Sequence, residues 1–169
     1  MKVLSLDPSG NYNEGSGTTG WAYFEDGELI EFGTISATDC CSLEGYWSEH
    51  ETLIVMKKPN IVVCEGYRLF AHKQKAQTWS QMETPQLIGY LRMACWKRKI
   101  KVVFQNPSDK IRVADPILVK MGVFEKRNKQ HYCNGKPTNL HIRDAIRHGI
   151  YFHKYMKEGV EHELSDLRK

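Results

Sequence analysis

Four side chains in this sequence could do chemistry together: Asp7, Glu65, His141 and Asp144. Three carboxylates and an imidazole brought to one place repel and desolvate one another unless a cation neutralises them. A divalent metal site is the physical reason to assemble such a set. Mostly oxygen donors suit Mg²⁺ or Mn²⁺, and two ions about 4 Å apart can hold the attacking and leaving oxygens of a phosphodiester during in-line displacement.

The elements that must position these residues are legible in the flanking pattern. Asp7 closes the alternating run Val3-Leu4-Ser5-Leu6, a β-strand that Pro8 must end because it has no N–H for a ladder. Alone, an Asp before Pro needs only turn chemistry to explain it. Glu65 closes Ile61-Val62-Val63-Cys64, a continuous apolar run of the kind buried on both faces of a sheet. His141 and Asp144 lie on a final helix that starts near Asn139, a good N-cap residue, and runs to about Met156. At 100° per residue, Ile142, Ala145, Ile146, Gly149, Phe152 and Met156 form an apolar stripe facing the sheet. Arg143, Arg147 and Lys154 take the far side. His141, Asp144 and His148 share one shoulder, where a site can be completed with strand residues; His148 is expected to face solvent, the alternative being that it backs a metal ligand.

The remaining chain reads as an α/β domain. Thr18 to Glu25 and Glu28 to Ile35 are strands joined by an Asp26-Gly27 hairpin turn. The spacing of Leu43, Trp47, His50 and Ile54 predicts a helix over 43–58, closed by Lys57-Lys58-Pro59. A basic, aromatic connector from Tyr67 to Lys75 leads into a long helix through Trp79, Met82, Leu87, Leu91 and Cys95, which Pro85 is expected to kink or divide. Ile100 to Gln105 reads as the last strand. Asn106-Pro107-Ser108 reads as a helix start and Asp115-Pro116 as its restart. Residues 122–138 read as a basic, mobile loop, and a flexible charged tail is expected from about residue 158. There is no internal repeat.

At 169 residues the chain is long enough for one domain spanning 1–169. A net charge of +4 permits a polyanionic partner without demanding one. The five cysteines are an odd set without CxxC spacing, and no signal-peptide core precedes the first strand, so a reducing cytoplasm is expected. The apolar stretch from Gln86 to Trp96 is broken by Arg92 and too short to span a membrane.

The motifs Leu4-Ser5-Leu6-Asp7-Pro8-Ser9, Thr19-Gly20-Trp21, Ile61-Val62-Val63-Cys64-Glu65 and His141-Ile142-Arg143-Asp144-Ala145 give the chain a resemblance to the RuvC-like Holliday junction resolvases of the ribonuclease H superfamily, particularly the phage-type forms. The resemblance covers nearly the whole chain. It implies a mixed five-stranded sheet flanked by helices, and a Mg²⁺-dependent crossover junction endodeoxyribonuclease in which Mn²⁺ substitutes. It further implies a homodimer that makes paired nicks in branched DNA, leaving 5′-phosphate and 3′-hydroxyl ends, in a bacterial or phage-infected cell. Asp7 would bridge two ions, with Glu65, Asp144 and His141 completing their coordination, and Lys110 would steady a phosphate. In the connector, Tyr67 and Phe70 would stack on a base while Arg68, Lys73 and Lys75 hold phosphates.

Two departures from the family pattern stand out. The loop from Ser9 to Gly17 is longer than the usual turn, fit for a DNA contact of its own or for decorating the rim. His141 in place of a fourth carboxylate predicts activity with Mn²⁺ at least equal to that with Mg²⁺. The alternatives within the class are a broader flap or branch nuclease and an RNA–DNA hybrid ribonuclease. Outside it stand a non-catalytic DNA-binding module and an actin-like nucleotide-binding domain, the latter suggested by Thr18-Thr19-Gly20 but lacking a second domain and phosphate loop.

Overall fold

Val3, Leu4, Ser5 and Leu6 are all buried because their strand, β1 (Lys2–Asp7), sits in the middle of a sheet covered on both faces. In the computed structural model, which describes residues 1–67 and 82–166, β1 pairs antiparallel with β2 (Thr18–Glu25), which pairs antiparallel with β3 (Glu28–Ser36). On its other side β1 runs parallel to β4 (Ile61–Glu65), which runs parallel to β5 (Lys101–Gln105). The order is β3-β2-β1-β4-β5, a mixed five-stranded sheet as the sequence implied.

Side-chain parity sorts the core. Val3, Ala22, Phe24, Ile61, Val63 and Val103 face α4 (Leu140–Tyr155) and pack on Ile142, Ala145, Ile146 and Phe152. Leu4, Leu6, Tyr23 and Val62 face the opposite layer, α1 (Leu43–Lys57) and α2 (Glu83–Lys97), through Tyr46, Ile54, Leu87, Leu91 and Cys95. Each fully buried aliphatic or aromatic side chain here contributes about 1.5–3 kcal/mol relative to exposure. Pro85 falls in the first turn of α2, where its missing N–H has no intrahelical partner to lose; the part of the expected helix before Met82 lies outside the described residues.

α4 lies unusually close to β1 and β2. A Cβ on Gly20 would lie 2.0 Å from the carbonyl oxygen of His141, and one on Gly149 would lie 2.1 Å from Cε2 of Phe24. Ser5 Oγ fills the same seam, donating to the carbonyl of Ala145 at 2.7 Å. Asn139 caps the helix, its Oδ1 accepting from the N–H of Ile142 at 2.8 Å, as the sequence predicted.

Three stretches depart from the sequence reading. Residues 122–138 are not a plain loop: they hold a second, antiparallel sheet of β6 (Glu125–Arg127), β7 (Gln130–Cys133) and β8 (Lys136–Thr138), so β5 is not the last strand. Between β5 and that sheet lie a 3₁₀ turn (Asp109–Val113) and α3 (Asp115–Lys120), the restart expected at Asp115-Pro116. The charged stretch after α4 is a further helix, α5 (Lys157–Asp166), docked by buried Val160 and by an ion pair of Glu163 with Lys101. The loop behind Asp7 is tied to the start of α2, through Gly10 N–H on Thr84 Oγ1 at 2.9 Å and the Asn13 side chain on Glu83. Among the described residues, no helix is long and apolar enough to cross a membrane.

Candidate active site

Strand parity delivers the site. Asp7 continues the Val3, Ser5 face, Glu65 continues Ile61, Val63, and Gln105 continues Val103, so all three end their strands pointing at α4. Parallel β1 and β4 place Asp7 and Glu65 side by side, at the carboxyl ends of strands where α/β sheets bind ligands.

α4 supplies the other half. His141 Nδ1 lies 2.8 Å from Asp7 Oδ2. One turn further, Asp144 accepts from Arg147 at 2.8 Å through Oδ1 and from Lys110 at 2.5 Å through Oδ2. His148 is fully buried, with Nε2 2.7 Å from Glu65 Oε2 and Nδ1 2.6 Å from Gln105 Oε1. It does not face solvent. The Gln105 amide is oriented by its own donation to the His148 carbonyl at 3.1 Å, which turns Oε1 toward His148 Nδ1. Nε2 is therefore the nitrogen turned to the carboxylates, the arrangement that fixes a ligand histidine.

Asp7, Glu65 and His148 each place a donor atom so that all lie within 4.8 Å of one another. Two carboxylates and an imidazole at that spacing fit a small divalent cation. The ring nitrogen in this group is that of His148, whereas the sequence assigned that place to His141; His141 and Asp144 flank the group, through Asp7 and Lys110 respectively.

Lys110 changes the electrostatic expectation. Its ammonium lies 2.8 Å from Glu65, 2.5 Å from Asp144 and 3.9 Å from Asp7, so the protein carries a built-in cation among its three carboxylates. Charge repulsion alone thus does not require a metal, but the Nζ position marks where positive charge is stabilised. Burial would depress the Lys110 pKa, yet hydrogen bonds to Asp144 and Glu65 outweigh it and the pKa is raised. Burial raises Asp7, aided by its neighbour Glu65, although the His141 contact pulls the other way. Glu65, despite burial, is held down at about 2 by hydrogen bonds with His148, Asp7 and Lys110. The first proton of the pair therefore goes to Asp7. His141 is raised by its bond to Asp7.

Sequence reasoning missed His148, Gln105 and Arg147. His148 was on the correct shoulder, but exposure falls along that shoulder, from a half-exposed His141 at the helix start to a His148 buried against Glu65 and Gln105. Arg147 was assigned to the far side and is instead half-buried, tying Asp144 to the backbone carbonyl of Lys110 at 3.1 Å. Arg143, placed on the same side, pairs with Asp115 at 2.8 Å. Tyr67 lies two residues beyond Glu65 and is partly exposed. Arg68, Phe70, Lys73, Lys75 and Trp79 lie outside the described residues.

No family model and no curated protein sequence matches this chain. Solved structures do: the architecture is the ribonuclease H-like α/β fold in the form that RuvC has. Thermus thermophilus RuvC in complex with a Holliday junction substrate superposes with a TM-score of 0.65 at 13% identity, covering 94% of this chain and 96% of that one. A second Thermus thermophilus RuvC structure gives the same TM-score and identity, over 94% of this chain and 97% of that one.

Proposed function

We propose that this protein is a metal-dependent, structure-selective DNA endonuclease that resolves four-way junctions or related branched DNA as a homodimer, hydrolysing phosphodiesters to 5′-phosphate and 3′-hydroxyl ends. The observation that carries it is the convergence of Asp7, Glu65 and Asp144 with His148 and Lys110 at the strand ends facing α4. The likeness of fold to a protein solved on a Holliday junction supports the choice of substrate.

Asp7, Glu65 and His148 would hold a divalent cation, and with Asp144 they offer donors enough for a pair. Such ions supply Lewis acidity, activating a water and stabilising the leaving 3′ oxygen. The chain's own residues do the rest. Gln105 holds the His148 ring in the orientation that turns Nε2 inward, and Arg147 holds both Asp144 and the Lys110 backbone. The Lys110 ammonium, among Glu65 and Asp144 at the strand ends, stands where it would pair with the scissile phosphate. His141, raised by Asp7, is placed at the rim to exchange a proton with solvent.

The test incubates wild type and Asp144→Asn with four-way, flap, duplex and RNA–DNA hybrid substrates in Mg²⁺ or Mn²⁺. Wild type should nick the junction in both metals, at least as fast in Mn²⁺, and the variant should lose the activity by about 100-fold or more. Wild type that cuts nothing, or a variant that cuts equally well, sinks the proposal.

A further inference from the structure

Resting on the branched-DNA reading, we infer that the β6–β8 sheet is a clamp for the phosphate backbone of a duplex arm beside the incision site, with Lys126, Lys129 and Lys136 as its contacts. Residues 122–138 carry Lys126, Arg127, Lys129 and Lys136 against Glu125 alone, a surplus of three in a chain whose whole net charge is +4. Arg127 is committed, paired with Glu125 at 2.8 Å and lying 4.9 Å over the Tyr132 ring. The three lysines are exposed and make no ion pair among the described residues. Lysines spread along one small sheet give it a positive potential, and a polyanion laid across it releases its counterions.

The sheet is a rigid platform. Phe124 and Cys133 belong to the main core, and Thr138 is buried. Gln130 Nε2 donates to the Thr138 carbonyl at 2.8 Å and Thr138 Oγ1 to the His131 carbonyl at 3.1 Å. Both hairpin turns are tight, with positive φ at Asn128, Asn134 and Gly135, and they put Lys129 and Lys136 at or beside the tips. A preformed surface loses little conformational freedom on binding.

Its position is fixed relative to the chemistry. β8 ends at Thr138, Asn139 caps α4, and His141 follows two residues on; Arg143 also donates to the Thr138 carbonyl at 3.4 Å. A duplex arm that leaves the site on the side of the α4 N-terminus passes this flank. Lysines are point charges that hold phosphates without reading bases, so the clamp is indifferent to sequence.

The experiment compares full-length wild type with the triple variant Lys126→Gln, Lys129→Gln, Lys136→Gln. It measures affinity for labelled four-way junctions of two unrelated sequences across about 50–200 mM salt. The variant should bind about tenfold more weakly or worse, equally on both sequences, and its slope of log K against log salt should be shallower by about 3. Its melting temperature should equal wild type's, and the triple Lys→Arg variant should restore affinity. Unchanged affinity and slope in a protein whose wild type binds and cuts junctions overturns the clamp and leaves the nuclease reading standing. A wild type that neither binds nor cuts overturns both.

Discussion

At the scale of the residue, Lys110 decides how the site behaves without metal. Its ammonium is the counter-charge of Glu65 and Asp144 and stands 3.9 Å from Asp7. Removing one partner of a partly buried charge network leaves the others uncompensated, at a cost of about 3 kcal/mol. A divalent cation on Asp7, Glu65 and His148 would relieve the same repulsion, and a ligand that binds only the folded state stabilises it by mass action. Lys110→Gln should therefore unfold at a lower temperature than wild type in EDTA and gain more from added Mg²⁺ or Mn²⁺. Thermal melts of both proteins across a metal titration check this; equal gains would mean that Lys110 and the cation do not share a place. The sequence made Asp7 and Glu65 visible because each is a carboxylate where an apolar run stops, whereas Lys110 came from the family resemblance alone. It could not show that Lys110 already pairs with the carboxylates, since that depends on how the 3₁₀ turn at Asp109–Val113 folds back against α4.

At the scale of the element, two contacts hold Asp7 in place. On the α1 side, buried His50 bonds Thr19 Oγ1 at 2.8 Å and the Tyr46 carbonyl at 2.7 Å, while Thr19 Oγ1 accepts from Ser9 N–H at 3.2 Å and Tyr46 OH donates to the Ser9 carbonyl at 2.6 Å. Burial lowers the His50 pKa to about 4 from its ordinary 6.5. The folded state thus favours neutral imidazole, the unfolded chain takes up the proton first, and stability present above pH 6.5 is lost as pH falls toward 4. The loss is at most about 3 kcal/mol. Urea midpoints at falling pH should drop less steeply for His50→Gln than for wild type; parallel curves would remove His50 from the account. On the α4 side, the room left by Gly20 lets His141 reach Asp7. Gly20→Ala should destabilise by about 1–3 kcal/mol, through overpacking, and slow junction cleavage by about 100-fold through displacement of the helix start. Alternation in β1, the β-branched and aromatic content of β2, the continuous apolar run of β4 and the Asn139 cap made β1, β2, β4 and α4 legible nearly to the residue. The β6–β8 sheet carried a signal too, since Asn134-Gly135 is a strong hairpin turn, but its strands are short and polar and show no alternation to accompany it. His148 was hidden by depth along α4, which periodicity does not report.

At the scale of the whole molecule, one chain carries one site, whereas the proposed paired nicks need two sites related by a two-fold axis. Among the described residues, the outer face of α2 is a surface suited to bring them together. Gly89, Arg92, Met93 and Trp96 recur at helical spacing on the face turned from the core and line a hollow of about 300 Å³. Trp96 is 72% and Met93 51% exposed, an apolar pair with a cation beside it and a glycine that admits close approach. Aromatic and methionine side chains with arginine are the residues that interfaces favour, and an isologous contact about such a stripe would set each α2 against its copy. Met93→Glu with Trp96→Glu places like charges across that contact, so the variant should sediment as a monomer where wild type sediments as a dimer. Both positions are exposed and distant in the chain from Asp7, Glu65 and Asp144, so the variant should still melt as wild type does. It should also convert the junction to singly nicked intermediates rather than resolved duplexes, which denaturing and native gels of the same reaction distinguish. A variant that remains dimeric, or that still resolves junctions in one encounter, would place the two-fold contact elsewhere on the surface.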